Sequence, residues 1–290
     1  MLKGYTKQEI SWMMYDWANS AHSVIIVTLL PIFFDTVAGY TADSVSSMST
    51  WGYATSIAML IVALAAPFLG VFGDIRGMRK KLFSFFMLLG VAACAGMAFT
   101  PGMDFTSGPV AAGKVASLIL VLYIVSVIGF DASAIYYDAF LTDVTTEDRM
   151  DKVSTMGYGL GYIGGSTIPL LIFLIMNLVG VPMLTCLAFV FGLTAVWWLA
   201  FSLPLLKNCE QTSGKPYEKG DVARSIKGVG TTIKEIIANK PMLIYILSYF
   251  FYIDGVHTVI SMATTYGTNL GLDSTGMMLA LLLVQILGLP

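Results

Sequence analysis

What constrains this chain most is the length of its uninterrupted apolar runs. Seven blocks, at about 11–38, 51–73, 82–100, 116–140, 154–177, 182–205 and 241–266, are each long enough to cross a membrane as a helix, since a bilayer core about 30 Å thick asks for roughly 20 apolar residues. An eighth opens near Gly276 and runs into Pro290. At 1.5 Å per residue it reaches only about 22 Å, so the chain is expected to continue past Pro290. Charged residues make up 12% of the 290 positions, against about 25% in soluble domains, which leaves too little polar surface to coat so many apolar blocks in water. The expected fold class is therefore all-α and polytopic, with the lipid bilayer as the first partner. The opening block is too long for the apolar core of a cleavable signal peptide, so it reads as the first span.

Basic residues set the orientation. Of the 16 lysines and arginines, Lys114 alone falls in a loop on one side. The rest precede span 1, lie between spans 2 and 3 or 4 and 5, or occupy the stretch between spans 6 and 7. The positive-inside rule then places the N-terminus and these loops in the cytoplasm. Three units follow: residues 1–205 as a six-span N-terminal bundle, 206–240 as a cytoplasmic linker, and 241–290 as the start of a second bundle. The linker holds a turn-rich stretch, Gln211 to Pro216, and then Val222, Ile226, Val229, Ile233, Ile236 and Ile237 at near-helical spacing, the pattern of an amphipathic helix lying on a membrane surface. The formal net charge of -2 does not suggest a nucleic-acid partner. Cys94, Cys186 and Cys209 are too far apart for a metal site or a disulfide framework, and no cofactor is implied.

Between spans 2 and 3 stands Gly70, then Asp74, Gly77, Arg79, Lys80 and Lys81. This loop resembles the signature loop of the major facilitator superfamily, with Ile75 where a basic residue usually follows the acid. Three further stretches narrow the resemblance: Tyr15-Asp16-Trp17-Ala18-Asn19-Ser20-Ala21 in span 1, Tyr136-Tyr137-Asp138-Ala139-Phe140 through Asp143 at the end of span 4, and Tyr252-Ile253-Asp254-Gly255-Val256-His257 in span 7. Together they are similar to the branch that holds fungal vacuolar amino-acid effluxers linked to autophagy and their bacterial relatives. The resemblance covers about two thirds of a twelve-helix transporter. It implies a major facilitator fold moving a small solute, amino acids among the candidates, by alternating access, in the cell membrane of a bacterium or the vacuolar membrane of a fungus.

An ionised side chain at mid-membrane costs about 2.5–3.5 kcal/mol on insertion scales, so it usually faces a cavity or a partner. His22, Asp131, Asp254 and His257 fall near mid-depth by helical rise, with Asp16, Asn19 and Asp138 nearer the cytoplasmic end. They sit on spans 1, 4 and 7, the first helices of three-helix repeats, where such folds line their central cavity. These seven residues are the candidate transport and coupling set, and protons are a candidate partner. Asp35 and Asp43 lie near the outer surface, where a solvated role is expected. Gly70, Asp74, Gly77, Arg79 and Lys80 are the candidate gate loop. Gly157, Gly161 and Gly165 recur every fourth residue in span 5 and read as a close-packing stripe. Two other readings stand beside the transporter: an intramembrane aspartyl protease built on Tyr137-Asp138, which lacks a companion Gly-x-Gly-Asp, and a sensor or scaffold that carries no solute.

Overall fold

The computed structural model describes residues 3–41, 44–216 and 221–287. Asp43 lies outside them. Helices in chain order are α1 (Lys7–Ala38), α2 (Ser44–Gly73), α3 (Arg79–Met97), α4 (Pro109–Val144), α5 (Met150–Leu160), α6 (Thr167–Leu178), α7 (Met183–Asn208), α8 (Asp221–Ala238), α9 (Lys240–Asn269) and α10 (Ser274–Leu287). Seven helical stretches among the described residues are long and apolar enough to cross a membrane, with α5 and α6 joined as one. No strand is present among them, and one isolated parallel bridge pairs Ile75 with Lys215. Helix α8 falls where the spacing of isoleucines and valines suggests one, with Ile233 and Ile237 exposed on it.

Helix α1 is the axis of the assembly. Thr6 and Glu9 open it with a reciprocal capping box, each side chain satisfying the other's backbone N–H. Both ends of α1 are enclosed, from Trp12 and Met13 to Phe34 and Val37, and it packs against α2, α4, α5, α6, α7 and α9. A helix that is apolar on every face suits that position.

Glycine sets the closest crossings. Helices α3 and α4 meet at Gly90 and Gly129, where a Cβ on Gly129 would strike the Gly90 backbone and one on Gly90 would strike the Trp198 ring. Between α5 and α6 the chain makes a single π turn, Gly161–Ser166, without breaking the span. Gly157, Gly161, Gly164 and Gly165 all face α1, against Trp12 and Asp16, Ser20, the Trp17 ring, and the Trp17 carbonyl respectively. Gly164 falls outside a four-residue stripe. The added residue of a π turn is what rotates it into the same contact.

Two sequence expectations change here. Asp35 is half-buried and accepts a hydrogen bond from the Ser47 hydroxyl at 2.6 Å, so it joins the C-terminal end of α1 to the N-terminal end of α2 where the sequence suggests free solvation. The stretch after α7, whose composition is that of a plain turn-rich connection, is docked along the loop between α2 and α3.

Candidate functional site

Asp16 lies about one turn along α1 from Trp12, at the junction of α1, α4 and α5. Its carboxylate is buried and accepts a hydrogen bond from the Tyr137 hydroxyl at 2.7 Å. Tyr137 is held in turn. Trp12 stacks on it with ring centroids 4.3 Å apart, and Tyr15 tilts against it at 4.8 Å. The Trp12 indole N–H donates to the Tyr137 carbonyl at 2.9 Å, which locks the two helices in register. The Tyr15 hydroxyl meets Ser133 at 2.8 Å and accepts from the Trp198 indole at 3.4 Å. Gly157 brings the α5 backbone onto the other side of Asp16. Few polar atoms surround this acid, and the ones present are fixed by aromatic packing.

Around it the other candidates divide. Asn19 is buried on the next turn of α1. Asp138 is exposed, next in sequence to the Tyr137 that holds Asp16. Tyr158, which sequence reasoning passes over, is 62% exposed on α5, next to the Gly157 that packs on Asp16. Asp131 is half-buried higher on α4 and makes no hydrogen bond among the described residues. His22 is buried with both ring nitrogens unpartnered, stacked on Phe130 at 4.9 Å and tilted on Trp198 at 5.0 Å. It packs as an aromatic ring.

Asp254 and His257 are exposed on α9, and no hydrogen bond joins their side chains. Of the aromatics flanking the acids, Tyr15, Tyr136 and Tyr137 are buried in packing, while Tyr249 and Tyr252 are exposed on α9.

A second site forms at the end of the bundle that carries the basic loops. Gly77 turns the α2–α3 loop with φ of 81°, a conformation that favours glycine, while Gly70 has open space beside it. Arg79 is buried and donates to the Ala139 carbonyl at 2.9 Å, to the Asp143 carboxylate, and to the Ser213 hydroxyl at 3.2 Å. Its guanidinium also lies over the Phe140 ring. Asp74 is exposed and 4.0 Å from Arg79. Lys80 is half-buried and its side chain makes no hydrogen bond among the described residues. On the same end, Arg149 grips the buried Glu9 through two nitrogens at 2.8 and 2.9 Å, and Thr145 adds a third donor at 2.7 Å. Asp143 and Glu9, the true anchors of the two arginines, carry no sequence signal of that pairing: Asp143 stands at the end of the span 4 stretch and Glu9 at the capping-box position of α1.

The family described as vacuole effluxer Atg22 like matches residues 36–150 and 142–289. An uncharacterized MFS-type transporter of Bacillus subtilis, YxiO, is 39% identical over 298 residues, covering 100% of this chain and 67% of its own length. The chain belongs to the Atg22-like family. More distant fungal members are autophagy-related protein 22-1 of Penicillium rubens, 26% identical over 148 residues (47% of this chain and 25% of its own), and that of Aspergillus niger, 26% identical over 147 residues (47% and 24%). The chain thus spans about two thirds of the bacterial relative and about a quarter of the fungal ones.

Membership assigns the major facilitator fold and makes this an integral membrane protein of transport. Atg22-like relatives are transporters and effluxers, which sets aside the aspartyl protease. The Tyr137-Asp138 pair agrees with that chemically. A protease dyad needs two carboxylates sharing a water, and Asp16, which Asp138's neighbour Tyr137 contacts, is instead buried and bonded to the Tyr137 hydroxyl.

Proposed function

We propose that the protein is a secondary transporter that moves a small zwitterionic solute by alternating access, with proton coupling through the acids of spans 1 and 4. Residues 1–205 form its N-terminal bundle, 206–240 the linker, and 241–290 the opening of a second bundle. The basic loops face the cytoplasm, with the N-terminus on that side. Similarity to the bacterial relative over the whole chain supports the cell membrane as its location; a fungal homologue would sit in the vacuolar membrane.

The observation that carries this reading is the buried Asp16, held by the Tyr137 hydroxyl, with the exposed Asp138 next to that tyrosine in span 4. A carboxylate in a low-dielectric wall is stable if it is protonated or has a donor, and a transporter exploits the exchange between those states. None of the seven spans carries a lysine or arginine in its middle, which supports a solute with no net negative charge. Amino acids, the solutes of the resembling effluxers, fit that description. Asp254 and His257 on α9 are assigned to the opposite wall of the same pathway.

The test is amino-acid flux in proteoliposomes holding the full-length protein. A pH gradient should drive accumulation, Asp16→Asn should abolish it, and exchange at equilibrium should survive because no net proton moves. Asp254→Asn should behave the same way if both walls carry the proton. Absence of flux for every amino acid, with the protein folded, would remove this substrate class and favour the sensor reading.

A further inference from the structure

Residues 209–216 leave α7 and are bound at nearly every step. One oxygen of the Asp143 carboxylate accepts from the Thr212 N–H at 3.0 Å, the Thr212 hydroxyl at 2.9 Å, the Ser213 N–H at 2.9 Å and the Ser213 hydroxyl at 2.8 Å. The other oxygen holds Arg79. An ionised carboxylate has about four acceptor sites, so Asp143 is saturated by this short segment and one arginine.

Gln211 does something different. Its side-chain oxygen accepts from the N–H of Gly77 at 2.8 Å and of Arg79 at 3.3 Å, while its amide nitrogen donates to the Gly73 carbonyl at 3.0 Å. Gly73 is the last residue of α2 and Arg79 the first of α3, and helix ends leave such groups without intrahelical partners. One side chain from a distant segment therefore caps both helices that flank the gate loop. Lys215 then pairs its backbone with Asp74 and Arg76 at 3.1 and 3.0 Å. Gly214 makes the approach possible: its φ is 112°, and a Cβ there would come within 2.8 Å of the Asp74 carbonyl.

We propose that Gln211–Lys215 is a latch on the gate loop, with Asp143 as its catch, and that its release is part of the transport cycle. The inference rests on the alternating-access reading for the motion it restrains, while the docking stands on the hydrogen bonds themselves. The same segment leads to α8 and α9, so displacement of the second bundle acts on these contacts. Arg79 and the gate-loop backbone are in this way tied to the covalent connection between bundles. Gln211, Thr212 and Ser213 are positioning residues in this scheme, acting through Arg79 and the loop.

The experiment uses the full-length protein in lipid nanodiscs and needs no substrate. Amide exchange is followed over 70–80 and 209–216 in the parent, in Gln211→Ala, and in a Thr212→Val/Ser213→Ala pair. Each is also made with Tyr158→Cys in a background lacking Cys94, Cys186 and Cys209; Tyr158 is exposed on α5 beside Asp16, and the maleimide reaction there reports a change in access to that face. Both latch variants should raise exchange in the two segments at least tenfold and change the maleimide reaction rate at least threefold. The conservative Thr212→Ser/Ser213→Thr pair, which keeps all four donors, should match the parent in both. Unchanged exchange would overturn the latch. Faster exchange with an unaltered maleimide rate would overturn its role in the cycle, leaving local packing. Gln211→Ala removes no core atom, so it keeps the test open if the double variant fails to fold. Amino-acid flux is not read, so these outcomes stay separate from those for the proposed solute.

Discussion

The Tyr137 hydroxyl donates to the Asp16 carboxylate at 2.7 Å, tying span 4 to span 1 inside the bundle. The donor is positioned by stacking on Trp12, so its loss leaves a buried acceptor without the hydroxyl that serves it. Tyr137→Phe should lower the stability of the bundle by about 1.5–3 kcal/mol, the range for a hydrogen bond to a charged group. Thermal unfolding of the purified protein measures this. Combining Tyr137→Phe with Asp16→Asn should give back part of the loss, because the neutral amide is cheaper to bury unpaired. Strictly additive losses would show that the two side chains act independently.

Asp74 and Asp143 both lie near Arg79, and the structure ranks them. The Asp143 side chain is fully enclosed with Arg79, whereas Asp74 is 82% exposed and 4.0 Å away. Removing one partner of a buried pair strands the other charge and costs about 3–5 kcal/mol, while exposed pairs contribute about 0–1 kcal/mol. Asp143→Ala should therefore destabilise the protein strongly and Asp74→Asn hardly at all. Any effect of Asp74→Asn on flux, at normal expression, then belongs to the gate and not to folding. Arg79→Lys should fall between, since it keeps the charge but loses the planar fork.

The π turn in span 5 makes a size prediction. Gly164 faces the Trp17 ring so closely that even a methyl group would displace it. Overpacking of this kind costs about 1–3 kcal/mol, so Gly164→Ala should lower the unfolding temperature. Trp17→Leu in the same protein should restore part of it by vacating the space. Gly180 is the contrasting case, because a Cβ there would meet open space but the backbone sits at φ of 85°. Gly180→Ala should lose stability through backbone strain alone, with no rescue from Trp17→Leu.

The spans, their order and the basic loops are legible in the sequence because a bilayer imposes a length and a charge rule that need no three-dimensional knowledge. The acids of spans 1 and 4 are legible for the same reason, since charge inside an apolar block is conspicuous. Contacts between distant segments are not. Asp143 looks like one more acid at a span end, and Gln211-Thr212-Ser213-Gly214 looks like an ordinary connection, because neither composition nor period records that they meet. Gly164 is visible as one of the span 5 glycines but falls outside the four-residue stripe, because an α-helical period excludes it and the π turn that includes it leaves no pattern in the residues. His22 reads from the sequence as a cavity residue, but the rings of Phe130 and Trp198 enclose it.

Orientation is tested by thiol labelling, and the structure decides where the reporters go. Arg79 is buried against Asp143, so a cysteine there would report burial and not sidedness. Lys81, two residues on, is exposed, as is Lys114 in the single basic position of the opposite loops. The native thiols must be replaced first, although all three are buried. Burial also pushes the Cys209 thiol up to about 12, so little thiolate exists near neutral pH and its labelling should rise as the pH climbs toward that value. In the cysteine-free protein, an impermeant maleimide added to intact cells should label Lys114→Cys and spare Lys81→Cys. Opening the membrane should expose Lys81→Cys to the same reagent. Labelling of Lys81→Cys in sealed cells would invert the topology, placing the gate loop, the latch and the N-terminus on the outside and overturning the cytoplasmic assignment.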